Sequence, residues 1–337
     1  MGKEFDISTA FARLGFIGAC LIVALHVDSV PMGGACDRVL MQIVSALYHS
    51  AVPVFFLMSG YWLVGHVDEP SWWRKAVTKR VLTLGIPYFV FITLTLLLLL
   101  FFKFVAIRWG AQLQPGYSWN QIMRCYGLDL RFGALSNMWY LRCLFFFVLL
   151  SGLVVPVVQK SVMLALVASI GFMLLSALVH LPGEGEFLYF GFNAYGFGCF
   201  IIGITLRMTG VVGLLAAFAR WGWVALVIGI IGCVAWHPFL LETMVWRPMI
   251  IVGLFSVASL LPIPPLWCTW NFPIYAQHGL VLLLLRNGLT VLHAEHYAGC
   301  FLGYCAVALT VILFSILMTV TVRRFCPGIA RVIYGGR

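Results

Sequence analysis

The sequence predicts an all-α, polytopic membrane protein with about ten transmembrane helices around a polar cavity. Of its 337 residues, 63% are hydrophobic and only 9% are charged, whereas soluble domains carry roughly 25% charged residues. Apolar runs long enough to cross a bilayer, about 17–25 residues each, recur along the chain. A few ionisable side chains lie inside those runs, and such side chains usually face a cavity rather than lipid.

We predict ten spans from the apolar windows, forming one integral-membrane domain over residues 1–337. They run approximately over 9–29, 42–64, 81–102, 137–158, 161–180, 188–207, 222–237, 246–262, 269–287 and 299–322. No small-residue cleavage site follows the first apolar run, so we expect it to act as an uncleaved anchor.

The net charge of +10 indicates orientation rather than a nucleic-acid partner. Excess Lys and Arg normally marks the cytoplasmic ends of membrane helices. The densest basic segments are 74–80 and 323–337. Both termini are therefore predicted to be cytoplasmic, and no nucleic acid is expected as a partner.

Three connections between spans are informative. Residues 65–80 lie on the inner side, where Trp72 and Trp73 are interpreted as interfacial anchors. Residues 103–136 form the longest outer connection and are predicted to be a partly folded cap over the cavity mouth. Residues 181–187 are predicted to be a short acidic outer turn.

His26 lies near the outer end of the first span and is the first candidate for chemistry. Imidazole is the commonest general base because its pKa is close to working pH. The alternatives are a histidine tied to a neighbouring carbonyl or one already among the headgroups. His49, near the outer end of the second span, lies at a similar depth, so a contact with His26 is one interpretation. An interfacial position for His49 is favoured.

The stretch AVPVFFLMSGYWL at 51–63 is predicted to be an irregular helix with a close neighbour. Pro53 is expected to break the regular helix. The pair Ser59 and Gly60 should let another backbone approach closely.

A basic cluster follows on the inner side, formed by Arg74, Lys75, Lys79 and Arg80. One interpretation is topology alone, or attraction to anionic lipid. The sharper one is a site for a phosphorylated cytoplasmic ligand, because Arg matches phosphate oxygens with two parallel hydrogen bonds.

Two later spans also carry polar side chains. Arg142 lies one turn into the fourth span, where it either snorkels to the outer interface or points inward. Tyr275 and His278 share one face of the ninth span, which Pro273 and Gly279 are expected to break. With the histidine of the first span, these residues indicate a polar cavity.

No metal site is predicted. The ten cysteines are scattered and form no CxxC pair, so neither a zinc site nor a redox motif is expected. His293 and His296 are three residues apart and could share a helical face, but no third ligand is obvious.

Taken together, these motifs resemble acyltransferase family 3, the multi-spanning membrane O-acyltransferases that modify surface polysaccharides and similar acceptors. The motifs that carry the resemblance are spread along most of the chain in a fixed order. They are LH at 25–26, AVPVFFLMSGY at 51–61, KRVL at 79–82, IPY at 86–88, MWYLR at 138–142 and FPIYAQH at 272–278.

The resemblance implies ten helices in the bacterial cytoplasmic membrane and no permanently bound cofactor. It implies acyl-CoA, acetyl-CoA for short members, as a donor taken from the cytoplasm, and the hydroxyl of a glycan or lipid-linked sugar as acceptor. It also implies that His26 is essential. One departure is visible: the family commonly has an arginine eleven residues before this histidine, where this chain has Gly15. Arg13 is thirteen residues before it and lies about 140° away around the helix, so that role is not transferred to Arg13.

The mechanism expected from these residues is acyl transfer with His26 as the general base. Arg142 or His278 would stabilise the oxyanion. The donor phosphates would contact Arg74, Lys79 and Arg80, and Ser59 and Tyr61 would also bind the donor. Direct transfer and a covalent acyl-histidine both fit.

Two rival functions remain open on the sequence alone. A transporter or flippase for a lipid-linked or small polar substrate would use the same polar residues to line a path. Its expected mark is paired broken helices in repeated halves, which are not visible here. A non-catalytic membrane receptor is the second rival.

Overall fold

The computed structural model describes residues 6–27, 34–108, 126, 138–179, 187–188, 192–236, 238–291 and 300–334. These residues are helical almost throughout. Within them, seven helices are long and apolar enough to cross a membrane. The chain is therefore an all-α polytopic membrane protein, as the sequence predicts.

The helices are numbered here in chain order. The first are α1 Ile7–His26, α2 Ala35–Leu63, α3 Trp72–Arg80, a π-helical turn Val81–Gly85, α4 Ile86–Arg108, α5 Trp139–Lys160 and α6 Val162–Leu178. After a hairpin of β1 Phe187–Leu188 and β2 Phe192–Asn193 come α7 Ala194–Thr209, α8 Val212–Ala235, α9 Phe239–Leu241, a second π-helical turn Glu242–Trp246 and α10 Arg247–Leu260. The last are α11 Pro265–Cys268, α12 Asn271–Val291, α13 Phe301–Phe325 and α14 Pro327–Ile333.

Each of the ten predicted spans coincides with a helical segment, but ten crossings are not confirmed. Seven segments have the length and hydropathy of a span. Helices α6 and α7 have only 17 and 16 residues, fewer than the roughly 20 apolar residues of a typical span. Helix α12 has 21 residues but is not among the seven.

Helices α2 and α7 pack backbone to backbone. A Cβ atom at Gly60 would overlap the carbonyl oxygen of Phe200, and one at Gly203 would overlap the carbonyl oxygen of Leu57. Only glycine permits this approach, which is a common way for membrane helices to associate. The close approach predicted at Ser59 and Gly60 is thus confirmed.

An aromatic core joins helices α2, α5 and α7. The Phe147 ring centroid lies 4.8 Å from that of Phe56, 4.9 Å from that of Phe197 and 5.6 Å from that of Phe200. Tyr140 borders this core, with its ring centroid 4.6 Å from that of Phe56. The core therefore fixes the start of α5 against α2, where the candidate site lies.

Both predicted helix breaks are wrong. Helix α2 runs through Pro53, and helix α12 runs through Pro273 and Gly279. Pro273 lies in the first turn of α12, where the missing N–H has no intrahelical partner to lose. In α2 the tightly packed neighbours keep the helix continuous despite one missing hydrogen bond.

Two predicted outer connections lie mostly outside the described residues. Of the turn predicted at 181–187, only Phe187 is described, and it begins β1, which pairs antiparallel with β2. Of the cap predicted at 103–136, the end of α4 and Tyr126 are described. Tyr88 donates to the Tyr126 carbonyl at 2.7 Å, and Thr93 bonds the Tyr126 hydroxyl at 2.8 Å, so this residue is fixed against α4.

The C-terminal segment folds back onto α12. Tyr334 is fully buried and hydrogen bonded to the amide of Gln277. The same amide donates to the Thr319 hydroxyl at 2.9 Å. The guanidinium of Arg323 covers the Tyr334 ring at 5.9 Å. Helix α12 is thereby held in place one residue before His278.

Candidate active site

The structure brings His26 and His278 together as a stacked pair. Their ring centroids are 5.0 Å apart with an angle of 26° between the rings. His26 is the last residue of α1, and His278 lies two turns into α12. Two of the polar residues predicted from separate spans therefore meet, although neither motif alone indicated a contact with the other.

The orientation of the His278 ring leaves one nitrogen available. His278 is fully buried, and its Nδ1 lies 2.5 Å from the carbonyl oxygen of Tyr275. A carbonyl only accepts, so Nδ1 carries the hydrogen, and Nε2 of the neutral ring has a free lone pair. Among the described residues, Nε2 has no hydrogen-bond partner. A buried nitrogen of this kind can accept a hydrogen bond from a group that enters the site.

Arg286 of α12 and Tyr304 of α13 hold the C-terminal end of α1. Arg286 donates to the carbonyl oxygen of His26 at 2.9 Å, and Tyr304 donates to that of Ala24 at 2.5 Å. The last carbonyls of a helix lack intrahelical partners, and a cation at that end is favoured by the helix dipole. Sequence reasoning missed both residues, although Arg286 interrupts a leucine run and is an intramembrane charge of the kind that signals function.

A row of hydroxyls continues from the histidines toward α2. The Tyr275 ring centroid lies 5.8 Å from that of His278 and 5.6 Å from that of Tyr140. The Tyr140 hydroxyl lies 3.0 Å from the Ser59 hydroxyl and donates to the Phe55 carbonyl at 3.3 Å. Ser59 was predicted to bind the donor, and the structure places it in this row.

These hydroxyls face a cavity of about 380 Å³, which we call the central cavity. Arg80, Tyr140 and Tyr275 all contribute to its lining. Its volume is at the lower end of the range of about 300–1,000 Å³ found for small-molecule sites. The lining residues are Ser8, Phe11, Ala12, Phe55, Met58, Ser59, Trp62, Arg80, Leu84, Tyr140, Leu141, Leu144, Asn271, Phe272 and Tyr275.

A second cavity, the side cavity, is lined by residues of α1, α2 and the start of α5. It has a volume of about 200 Å³, and Leu25, the neighbour of His26 in the chain, contributes to its lining. His49 also lines it, with its ring stacked on Tyr48 at 4.7 Å. The residues that line it are Leu25, Tyr48, His49, Val52, Pro53, Phe56, Trp139 and Asn193. The ring that stacks on His26 is that of His278.

A third cavity, the basic pocket, has a volume of about 310 Å³ and lies where α2 ends and α3 begins. Lys75, Lys79 and Arg80 line it, whereas Arg74 does not. Arg74 is exposed and lies about 100° around the helix from Lys75. Of the three cations predicted to contact the donor phosphates, Lys79 and Arg80 line this pocket and Arg74 does not, while Lys75 takes its place.

Two other predicted residues, Arg142 and Tyr61, line none of the three cavities. Arg142 acts electrostatically on Tyr88 and Cys143, and it lines none of the three cavities. Tyr61 is buried against Phe11, with Arg207 5.3 Å above its ring, so it is not positioned to touch a donor in the central cavity.

Gly15 occupies the position, eleven residues before His26, where the family commonly has an arginine. A Cβ atom at Gly15 would lie 2.8 Å from Nδ2 of Asn271, a residue that lines the central cavity. A larger side chain at this position would require Asn271 to move. Arg13 instead donates to the Ser259 carbonyl at 3.3 Å.

Among the described residues, no three potential ligands form a group that could hold a metal ion. The predicted pair His293 and His296 lies outside them. Nine cysteines are described, and all nine are free thiols.

The family assignment agrees with this architecture. The sequence model of the family described as an acyltransferase domain, acyltransferase family 3, matches residues 16–320. No curated protein and no solved structure matches the chain. The match covers nearly the whole chain and includes both histidines of the stacked pair. The chain therefore belongs to acyltransferase family 3 and is a membrane acyltransferase.

Proposed function

We propose that the protein moves an acyl group, acetyl in the first instance, from cytoplasmic acyl-CoA to the hydroxyl of a glycan or lipid-linked sugar. The observation that carries this proposal is the stacked pair of His26 and His278. Tyr275, which contacts His278, lines the central cavity, and Leu25, next to His26, lines the side cavity. Neither histidine lines a cavity itself, so the donor and the acceptor would reach the pair from the cavities beside Tyr275 and Leu25.

In this reaction His26 acts on the acceptor. Its imidazole takes the hydroxyl proton as the acceptor oxygen attacks the thioester carbonyl carbon. The carbon–sulfur bond then breaks, and the CoA thiolate leaves with the proton returned from the imidazolium. A positioned general base contributes typically 10²–10⁴-fold. A covalent acyl-histidine would require the same donor position and stays an alternative route.

His278 is proposed to orient and polarise the His26 ring. Its own position is fixed by the Tyr275 carbonyl and by burial. Because Nε2 has no hydrogen-bond partner among the described residues, it can accept a hydrogen bond from a substrate group, whereas burial disfavours a charged His278 ring. We therefore assign His278 to orienting His26 rather than to stabilising the oxyanion, the role expected from the sequence.

The oxyanion is proposed to be stabilised by Tyr140 rather than by Arg142. The Tyr140 hydroxyl lines the central cavity and is supported by Ser59 at 3.0 Å. Arg142 does not line that cavity. Preorganised donors aimed at developing charge in a site that excludes water are usually the largest single contribution to catalysis.

The donor is proposed to enter from the cytoplasm, with both termini on that side and the protein in the bacterial cytoplasmic membrane. Cations of α3 line the basic pocket and the central cavity, and Arg80 lines both. Loops rich in Lys and Arg are normally cytoplasmic, which is also where acyl-CoA is found.

A transporter or flippase is disfavoured by the helices themselves. Such proteins typically bind substrate at broken helices. Helices α2 and α12, which carry the prolines expected to break them, are continuous.

The test uses purified protein in nanodiscs with radiolabelled acetyl-CoA and lipid-linked glycans extracted from the host membrane. The proposal expects label in the glycan fraction and release of one CoA thiol for each acetyl group transferred. The same protein with His26→Ala should transfer no label above background. Absence of both label transfer and thiol release with wild-type protein would contradict the proposal.

A further inference from the structure

The last turn of α1, which carries His26, is held by side chains from two other helices. The final carbonyls of a helix have no partner within it, and in a membrane such groups need partners from elsewhere in the protein. Tyr304 of α13 donates to the Ala24 carbonyl at 2.5 Å, and Arg286 of α12 donates to the His26 carbonyl at 2.9 Å. The residue proposed as the general base is therefore bonded through its own backbone to an intramembrane arginine.

Helix α12 contacts both the backbone and the ring of His26. Gly15 of α1 lies beside Asn271, the first residue of α12. His26 comes later in α1 and is bonded to Arg286, later in α12, so the two helices run in the same direction. Arg286 and His278 are eight residues apart on the same ridge of α12, and helical side chains lean toward the N-terminus. The guanidinium therefore reaches back to the His26 carbonyl, while the His278 ring stacks on the His26 ring.

An apolar cluster joins α1, α12 and α13 independently of these hydrogen bonds. Burial of apolar surface is not directional, so the cluster keeps the three helices in contact without fixing the rotation of the last turn of α1. Hydrogen bonds have a preferred angle as well as a preferred distance, and those from Arg286 and Tyr304 add this constraint. Removal of the Arg286 bond should therefore leave the fold intact and loosen the turn. The buried members of the cluster are Ala19, Val23, Val27, Ile274, Val281, Leu282, Tyr304, Val307 and Val311.

We propose that Arg286 is a positioning residue for acyl transfer, which holds the last turn of α1 so that the His26 ring stays stacked on His278 with the centroids 5.0 Å apart. A guanidinium suits this place because it stays charged and because a cation is favoured at the C-terminal end of a helix. Tyr304 supports the same turn through Ala24. The inference rests on the proposed function, in which His26 is the general base. Its distinct claim is that the turnover rate depends on a side chain that acts through the backbone of His26.

The experiment compares steady-state acetyl transfer by the full chain in nanodiscs before and after Arg286→Met, which keeps the length of the side chain and removes its donors. The kcat should fall about 30- to 100-fold, since a misplacement of about 1 Å can cost about 10²-fold. The KM for acetyl-CoA should stay within about twofold, because Arg286 lines none of the three cavities. Arg13→Met is the matched control: Arg13 is also half-buried and donates to a backbone carbonyl, that of Ser259 at 3.3 Å. Its kcat should stay within about threefold of wild type.

Chemical rescue distinguishes positioning from general support of the fold. Arg286→Ala leaves space for a small cation, so added methylguanidinium should raise its kcat about tenfold, the scale of one charged hydrogen bond. The same cation should have no effect on His26→Ala or on Arg13→Ala. Arg286→Lys keeps the charge without the planar fork and should give a kcat between those of Arg286→Met and wild type.

Amide hydrogen exchange measures the last turn of α1 without reference to activity, because it reports local opening of a helix. In Arg286→Met, peptides that cover residues 20–27 should exchange at least about fivefold faster than in wild type. Peptides that cover residues 7–19 should be unchanged, and Arg13→Met should not affect residues 20–27. Thermal unfolding of each variant in the nanodisc ensures that the comparison is between folded proteins.

The outcomes separate the inference from the function on which it rests. If wild-type protein transfers no acetyl group, the proposed function fails and the inference fails with it. If wild-type protein is active and Arg286→Met keeps its kcat, or if methylguanidinium restores nothing and exchange at residues 20–27 is unchanged, the inference is overturned and the proposed function stands. A fall in kcat that comes with an equal rise in KM, and with a loss of thermal stability shared by Arg13→Met, would make Arg286 a general structural residue and also overturn the inference.

Discussion

The substitution Tyr140→Phe removes one oxygen atom from the centre of the site and leaves the packing intact. The ring would keep its neighbours, with centroids 4.6 Å from Phe56 and 5.6 Å from Tyr275. The hydroxyl bonds Ser59 at 3.0 Å and the Phe55 carbonyl at 3.3 Å. The second distance is long for a hydroxyl donor, for which about 2.7–2.8 Å is usual, so the hydrogen can turn toward a charge in the cavity at little cost.

The size of the effect distinguishes catalysis from structure. A hydroxyl that only supports the fold contributes about 0.5–1.5 kcal/mol per hydrogen bond and acts alike on ground and transition states. Loss of one oxyanion donor costs about 10²–10³ in kcat. We therefore expect Tyr140→Phe to lower kcat at least a hundredfold and to leave the KM for acetyl-CoA nearly unchanged.

The assay is steady-state release of CoA thiol with acetyl-CoA and glycan acceptor. Tyr88→Phe is the matched control, because that hydroxyl also makes a buried bond, to the Tyr126 carbonyl at 2.7 Å, but does not line the central cavity. Both variants should lose similar thermal stability. A less than threefold fall in kcat for Tyr140→Phe would refute its assignment to the oxyanion.

Three further predictions follow from the fold and its charges. Gly60→Ala should cost about 1–3 kcal/mol of stability, since overpacking costs this much and its Cβ would overlap a backbone carbonyl. Gly171→Ala, with nothing within 4 Å of its Cβ, should be tolerated, and thermal unfolding checks both. Reporter proteins fused at Glu69, between α2 and α3, or after the C-terminus should give a cytoplasmic signal. A periplasmic signal at either position would overturn the proposed entry of the donor from the cytoplasm. The pKa of the Glu69 carboxyl lies below its ordinary value because Lys75 donates to it. The charge is therefore present at neutral pH and lost as the pH falls through that lowered pKa. Since Glu69 neutralises Lys75 beside the proposed donor route, Glu69→Gln should bind CoA more tightly than wild type at neutral pH, and the difference should disappear in acid.

The helices could be predicted because their signal is local. Hydropathy and length decide whether a segment can lie in a bilayer, and each predicted span coincides with a helix. The small pair Ser59 and Gly60 also predicted a close contact, though not its partner, since helix α7 is distant in the chain. The expected break at Pro53 is wrong because packing of α2 against its neighbours outweighs one lost hydrogen bond.

The site could be predicted only in part. His26 and His278 were recognised as costly intramembrane groups, but their stacking depends on helix rotations that a single sequence does not specify. The same uncertainty explains Arg142 and Tyr61, whose residue types suit the chemistry but which line none of the three cavities. The roles of Arg286 and Tyr304 could not be predicted, because both bond backbone carbonyls. Every residue has such a carbonyl, so no sequence pattern identifies the partner.

The central claim is that His26 is the general base of acyl transfer. The direct measurement is the pH dependence of acetyl transfer by wild-type, His26→Ala and His278→Ala proteins in nanodiscs, normalised to the folded fraction. A base must be unprotonated, so the wild-type rate should rise with pH through the imidazole titration. His26→Ala should lose 10²–10⁴-fold in rate while still binding acetyl-CoA, and His278→Ala should keep the rising limb at a lower rate. A folded His26→Ala protein with wild-type activity would contradict the account.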